Sequence, residues 1–297
     1  MGFIDEIKEV TDLQLQHNQS MKKHTSYGVG GNAKFYAVAN SINSLNKAYL
    51  ICEKHKIPCK IIGNGTNILF SDKGSNGLVI STKGIDKLTR KGNLVRATCG
   101  VSLKNLIEFS CLNALSGVEM LTGIPASIGG AVYMNAGAFG HDISECIVEV
   151  ESVSNGKLTK RYKESCGFGY RKSIFNSNRE IILSATFELK NFNEQSIREK
   201  IDSVLTVRKA VQPTGKSLGC VFKNPDKFSA GQLIDGLGLK GYRIGGAKIS
   251  EIHGNFIITD SSATASDVKE LIEYVKIKIK KAYDVTLKEE IELIGDF

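Results

Sequence analysis

Between Gly123 and Gly140 the chain reads GIPASIGGAVYMNAGAFG, and this stretch limits the fold more than any other. Its eighteen residues hold Gly123, Gly129, Gly130, Gly137 and Gly140, the small residues Ala126, Ser127, Ala131, Ala136 and Ala138, and few charges. Backbone this thinly covered by side chains permits close approach of something flat or phosphorylated. A glycine-rich crossing between packed elements is the other way to use it. A second stretch, GNGTN at 63–67, follows the apolar run Cys59–Ile62. Successive glycines there let backbone N–H groups converge, which suits a phosphate or pyrophosphate. The spacing is not that of a dinucleotide fingerprint, so a tight turn between two strands remains open.

A chain of 297 residues is long enough for two domains with a buried core. With 41% hydrophobic and 24% charged residues it has the composition of a soluble globular protein rather than a disordered one. No apolar run reaches membrane-span length, so no membrane association is expected. Asp5, Glu6, Lys8, Glu9 and Asp12 interrupt the N-terminus, which therefore lacks the apolar region of a secretory signal. Ile4, Ile7 and Val10 recur there at helical spacing, and a cytoplasmic location follows as the expectation. Seven cysteines, at 52, 59, 99, 111, 146, 166 and 220, include no C-x-x-C pair, which argues against a disulfide framework and a zinc site. The net charge of +8 is spread along the chain, and Lys276, Lys278, Lys280 and Lys281 read as the solvated face of a helix. Without a nucleic-acid motif this charge predicts no nucleic-acid partner; it suits a small anionic ligand only weakly.

Short strand-like runs alternate with helical stretches, giving an α+β chain. Strands are predicted at Cys59–Ile62, Leu78–Ser81, Leu94–Cys99, Val148–Ser154 and Ile181–Leu189, and helices at 42–55 and 103–112, the latter behind a Ser102 cap. The polar segment 191–196 is the candidate boundary, dividing residues 1–193 from 194–297. A helix from about Ile197 to Val211 should follow, ended near Pro213. Thr264 and Asp267 form a capping-box pattern ahead of Val268, Leu271, Ile272 and Val275, and a closing strand is expected over Val285–Ile294.

Three polar residues in this frame could carry chemistry. Arg171 lies in GFGYR, where a guanidinium can clamp a carboxylate bidentately or simply stack on Tyr170 or Phe168. Cys220 follows Gly219 ahead of a β-like run, and its thiol could be a nucleophile, a proton donor or a buried filler. Glu290 alternates with apolar residues in the closing segment, and pattern alone puts it on a solvated strand face.

Taken together and in order, TSYGVGG (25–31), 63–69, 123–140, 167–175, 219–225, GLKGYRIGGA (238–247), HGNF (253–256) and 287–295 resemble the UDP-N-acetylenolpyruvoylglucosamine reductase family, in its shorter, type II branch. The resemblance covers the chain from about residue 24 onward. It implies an FAD-binding domain of the vanillyl-alcohol-oxidase (PCMH) type, made of two subdomains, and a C-terminal α+β substrate-binding domain. It further implies non-covalent FAD, held by Gly63, Asn64, Gly65, Thr66, Asn67, Ile68, Gly123, Ile124, Pro125, Ser127, Gly129, Gly130, Asn135 and Gly137. NADPH is the implied hydride donor, and a small-molecule UDP-sugar of peptidoglycan precursor synthesis the implied substrate. Arg171, Cys220 and Glu290 match the catalytic positions, while Arg208, Gln212, Lys223 and Asn224 are candidate contacts to the diphosphate or sugar.

Cys220 departs from the family, in which serine is the usual proton donor at that position. A thiol, with an ordinary pKa of roughly 8.5, is still mostly protonated near neutrality and can donate. Glu290 can assist an enolate-like species only if it carries its proton. Two competing readings share the fold: an alcohol or sugar oxidase, and a non-catalytic nucleotide-binding relative. Nothing in the sequence fixes the oligomeric state, and a monomer is expected.

Overall fold

Side-chain caps set where most of the helices begin. Described here are residues 2–154, 156–178 and 180–297 of a computed structural model. Helix α1 covers Phe3–Lys8, and α2 covers Ile42–Lys54 behind Ser41, whose Oγ accepts from the Ser44 amide at 3.1 Å. Helix α3 runs Leu103–Leu112 with Ser102 accepting from Asn105 at 3.0 Å, as its sequence predicts. Then come α4 (Ile128–Met134), α5 (Glu194–Val211), α6 (Ala230–Gly236) and α7 (Ala265–Tyr283). The Thr264–Asp267 capping box at α7 forms as expected. Each cap satisfies N–H groups that the first helical turn cannot pair internally.

The chain divides into two units. The first comprises residues through His17, Phe35–Asn64 and Gly77–Val207; the second comprises Asn18–Lys34, Gly65–Asn76 and Arg208–Phe297. Compactness therefore groups two early segments with the C-terminal part. Asn193, at the boundary read from composition, caps α5 by accepting from the Ser196 amide at 3.0 Å. Residues 194–207 of that helix belong to the first unit.

Two hydrophobic cores lie within the first unit. One gathers Ile7, Phe35, Leu45, Leu78, Ile80 and Leu183. It includes residues of a four-stranded sheet ordered Leu13–Ser20, Asn32–Ala39, Ser75–Ser81, Cys59–Ile62, in which the last two run parallel with Cys59 opposite Leu78. The other gathers Val95, Leu106, Ile128, Val132, Val150 and Phe187. It belongs to a five-stranded sheet ordered Lys157–Tyr162, Ile147–Ser154, Ile181–Glu188, Leu94–Thr98, Leu88–Lys91, with the neighbours antiparallel.

The second unit has a core of its own, built on Val221, Phe222, Ile234, Ile257, Leu271, Ile272, Val275 and Leu287. Helix α7 supplies its buried stripe (Val268, Leu271, Ile272, Val275, Ile279) at the 3–4 residue spacing of an amphipathic helix. The expected closing strand is shorter than its alternating pattern suggested. Only Glu292–Ile294 forms a strand, parallel to Ile68–Phe70, and Glu289 makes an isolated bridge to Phe222. Leu287 and Ile291 are nonetheless buried and keep the alternation. Among the described residues no helix is long and apolar enough to cross a membrane. All seven cysteines are thiols.

Candidate flavin and substrate site

In the first unit Gly63 and Asn64 meet the glycine-rich stretch 123–140. The strand Cys59–Ile62 ends at Gly63, where a Cβ would stand 1.9 Å from the Ser127 hydroxyl oxygen. Asn64 donates from Nδ2 to the Pro125 carbonyl at 2.8 Å, tying one loop to the other. Ser127 caps α4 by accepting from the Gly130 amide at 3.3 Å. The Gly129 amide donates to the Cys99 carbonyl at 2.8 Å, so side-chain-free backbone packs against backbone. Burial pushes the Cys99 thiol up to about 12, which marks it as an inert filler. Gly123, Pro125 and Gly130 are exposed, while Ile124 is half-buried.

The far end of the same stretch positions Arg171. Asn135 ends α4 in the left-handed conformation (φ 44°) with its side chain buried. Its Nδ2 donates to the Gly169 carbonyl at 3.0 Å, and its Oδ1 accepts from the Ser144 amide at 3.2 Å. Asn135 thereby anchors the tight turn 169–172, which is closed by reciprocal backbone bonds between Gly169 and Lys172. Arg171 lies in that turn with φ 51°, donates from Nη2 to the Gly137 carbonyl at 2.7 Å, and stacks 5.1 Å from the Tyr170 ring centroid. Arg171 thus stacks on Tyr170, as one of its two readings expects, and also bonds to the backbone of the glycine-rich segment. Gly137 could not carry a side chain, because a Cβ would sit 2.5 Å from the His141 carbonyl oxygen.

The second unit holds the remaining candidates. Gly65 has φ 70°, and a Cβ there would lie 1.9 Å from the His24 carbonyl oxygen. Thr66 and Asn67 follow it, and Ile68 pairs with Glu292. Asn67 donates from Nδ2 to the Glu290 carbonyl at 3.1 Å, and its own carbonyl accepts from the Glu292 amide at 2.9 Å. The Glu290 amide in turn donates to the Val221 carbonyl at 2.8 Å, next to Cys220. Cys220 and Glu290, 70 positions apart in the numbering, thus lie on adjoining backbone segments. Both are half-buried.

The expected substrate contacts cluster near by. Arg208 is buried and donates from Nη1 to the Gln212 amide oxygen at 3.2 Å, in the last turn of α5. Burial holds its guanidinium below the usual range, and Cys220 is close enough for charge on the two groups to interact. The Lys223 amide donates to the Lys288 carbonyl at 2.9 Å, and the Asn224 Oδ1 accepts from the Ala230 amide at 3.0 Å. Asn224 is therefore also a brace at the start of α6. Asn255, buried in the turn HGNF just ahead of the strand Ile257–Thr259, has no role assigned by the sequence pattern.

These residues fit FAD. Residues 63–68 and 122–138 contain no charged side chain, so no carboxylate opposes a diphosphate. Their donors are backbone amides and small polar groups, and the exposed glycines leave room for a flat ring.

Comparison with known proteins agrees. A family model described as an FAD binding domain matches residues 33–160, which include both glycine-rich stretches. A model of the UDP-N-acetylenolpyruvoylglucosamine reductase C-terminal domain matches residues 212–294, which include Cys220, Lys223, Asn224 and Glu290. The reductase of Caldanaerobacter subterraneus subsp. tengcongensis is 37% identical over 297 residues, covering 99% of this chain and 98% of the relative. The chain belongs to the UDP-N-acetylenolpyruvoylglucosamine reductase family.

A crystal structure of the family's enzyme from Thermus caldophilus matches with a TM-score of 0.81 at 34% identity, covering 95% of this chain and 99% of that one. The fold extends beyond the reductase family. Phl p 4.0202, a glucose dehydrogenase, matches with a TM-score of 0.52 at 12% identity over 65% of this chain and 44% of its own. That likeness concerns the fold alone.

Proposed function

We propose that this chain reduces the enolpyruvyl ether of UDP-N-acetylglucosamine to UDP-N-acetylmuramate, with FAD as cofactor and NADPH as hydride donor, in peptidoglycan precursor synthesis. What supports the reading is the Glu290 amide's bond to the Val221 carbonyl, which brings the backbone of Glu290 beside the residue that follows Cys220. In this reading residues 1–193 serve the flavin and 194–297 the substrate. Gly63, Asn64, Gly65, Thr66, Asn67, Ile68, Gly123, Ile124, Pro125, Ser127, Gly129, Gly130, Asn135 and Gly137 hold FAD without a covalent bond. The enzyme works as a monomer in the cytoplasm.

FAD, when bound, would supply a two-electron carrier able to accept a hydride from NADPH and to donate one to the terminal alkene carbon. All other steps belong to side chains. Hydride addition conjugate to the carboxylate builds negative charge on its oxygens. Arg171 meets that charge with fixed positive charge and two aligned N–H donors. Glu290 assists in its protonated form, by a hydrogen bond to the same oxygens. The Cys220 thiol then gives its proton to the carbon bearing the carboxylate, so hydride and proton together saturate the double bond. The resulting thiolate is reprotonated from solvent. Arg208, Gln212, Lys223 and Asn224 bind the diphosphate and sugar.

The test is NADPH absorbance followed with the purified yellow protein, with and without UDP-N-acetylglucosamine enolpyruvate. Oxidation that depends on the sugar supports the reading. NADPH consumption that depends only on oxygen points to an oxidase, and flavin binding without turnover to a non-catalytic relative; either result overturns it.

A further inference from the structure

We infer that Asn255 is a positioning residue for the proton-transfer half of the reaction, acting through the backbone that carries Cys220. The inference rests on the function proposed above and adds a residue that lies outside the catalytic, flavin and substrate sets.

Residues 220–223 do not form a continuous strand. Cys220 makes an isolated antiparallel bridge with Phe256, and Phe222 makes one with Glu289. A segment joined by single bridges lacks the repeated ladder bonds that fix an ordinary strand. Asn255 supplies what is missing on one side. Its Oδ1 accepts from the Phe222 amide at 2.9 Å, and its Nδ2 donates to the Phe222 carbonyl at 2.8 Å. Its own carbonyl accepts from the Val221 amide at 2.9 Å. One side chain and its carbonyl thus make three bonds to the two residues after Cys220. The segment 288–290 holds the other side, through Lys223 amide to Lys288 carbonyl at 2.9 Å and Glu290 amide to Val221 carbonyl at 2.8 Å.

Asn255 is itself fixed. It is buried, and its amide donates to the His253 Nδ1 at 3.1 Å. Burial, with Lys240 near by, holds the His253 pKa below its usual value and favours the neutral ring, which can accept at Nδ1. The side-chain amide of Asn255 is matched to its task because it carries a donor and an acceptor. An aspartate has no donor for the Phe222 carbonyl, and an alanine leaves both Phe222 groups buried and unpaired.

Proton delivery is sensitive to placement, whereas hydride transfer from NADPH to flavin does not involve this segment. The experiment therefore measures the two half-reactions separately, without oxygen, by stopped-flow flavin absorbance in the wild type, Asn255→Asp and Asn255→Ala. Flavin reduction by NADPH is expected to stay within about twofold of the wild type. Reoxidation by the enolpyruvyl sugar is expected to slow at least about tenfold, since a displacement of about 1 Å in a reacting group can cost about 100-fold. In steady state the loss should appear in kcat more than in KM for the sugar. If Asn255→Ala does not fold, Asn255→Asp, which keeps the acceptor for the Phe222 amide and loses the donor to its carbonyl, carries the comparison. A wild type that turns over, beside variants slowed equally in both halves or in neither, overturns the inference alone. A wild type whose reduced flavin the sugar does not reoxidise overturns the proposed function, and this inference with it.

Discussion

The glycine-rich loops of the first unit and the Cys220–Glu290 region of the second handle polar chemistry in opposite ways. In the first, backbone does the work. Gly63 and Gly137 are places where a side chain would collide, and the loops carry no charge. In the second, half-buried side chains that can hold or give a proton sit on backbone pinned by asparagine amides, Asn67 on Glu290 and Asn255 on Phe222. A cofactor that stays bound needs shape and N–H donors, whereas a reaction needs groups whose protonation can change. Substitutions should therefore fail differently in the two regions, by sterics in one and by chemistry in the other.

The largest expected effect is chemical. Cys220→Ala should slow sugar-dependent flavin reoxidation by about 10²–10⁴-fold, the usual worth of a general acid, with flavin content unchanged. Cys220→Ser should retain most of the rate. An alanine variant as fast as the wild type removes the thiol from the mechanism. Next comes a steric effect in the first unit. Gly137→Ala places a Cβ 2.5 Å from a backbone oxygen and should cost about 2–3 kcal/mol of stability and release flavin on gel filtration. Purification with full flavin and an unchanged melting temperature would break the comparison.

Acid should act on the first unit through its sheet rather than its loops. Burial tends to raise the Glu151 carboxyl, but Arg96, Ser184 and Lys160 outweigh it and hold the pKa at about 2. A lowered pKa contributes stability that is complete above the ordinary value of 4.5 and is lost as pH falls toward about 2. Glu151→Gln should cost about 2 kcal/mol near neutral pH and flatten acid unfolding across that window. An unchanged acid-unfolding curve would show that the pair does not matter. The smallest effect is expected at Asn64→Ala, which removes the 2.8 Å bond to Pro125 and should weaken flavin binding less than about tenfold, as read by fluorescence titration.

Local features were legible in the sequence. Ser102 and Thr264 act within three residues of themselves, so their caps need no knowledge of the fold. The glycine-rich stretches were legible as backbone meant for close contact, though the Asn64–Pro125 tie was not. Long-range pairing escaped the reading. Segment 65–76 joins the C-terminal unit because Ile68–Phe70 pairs with Glu292–Ile294 and the Asp72 carboxylate accepts from the first amides of α7 at 3.0 and 2.8 Å, and segment 18–34 is tied to it by the Thr259 hydroxyl donating to the Tyr27 carbonyl at 2.7 Å. No composition change marks such a partner. The closing segment was read as a full strand because Leu287 and Ile291 alternate as in one, although only its end forms a ladder. The role of Asn255 is not legible in the sequence, because an asparagine in a turn shows its purpose only when the backbone it braces is known.

The central claim is that flavin electrons go to an enolpyruvyl sugar rather than to oxygen. The direct measurement is to reduce the bound flavin without oxygen, remove the reductant, and add UDP-N-acetylglucosamine enolpyruvate while following flavin absorbance. Return of the oxidised spectrum, with one UDP-N-acetylmuramate formed per flavin, is the expected result. A flavin that stays reduced until air is admitted would contradict the account.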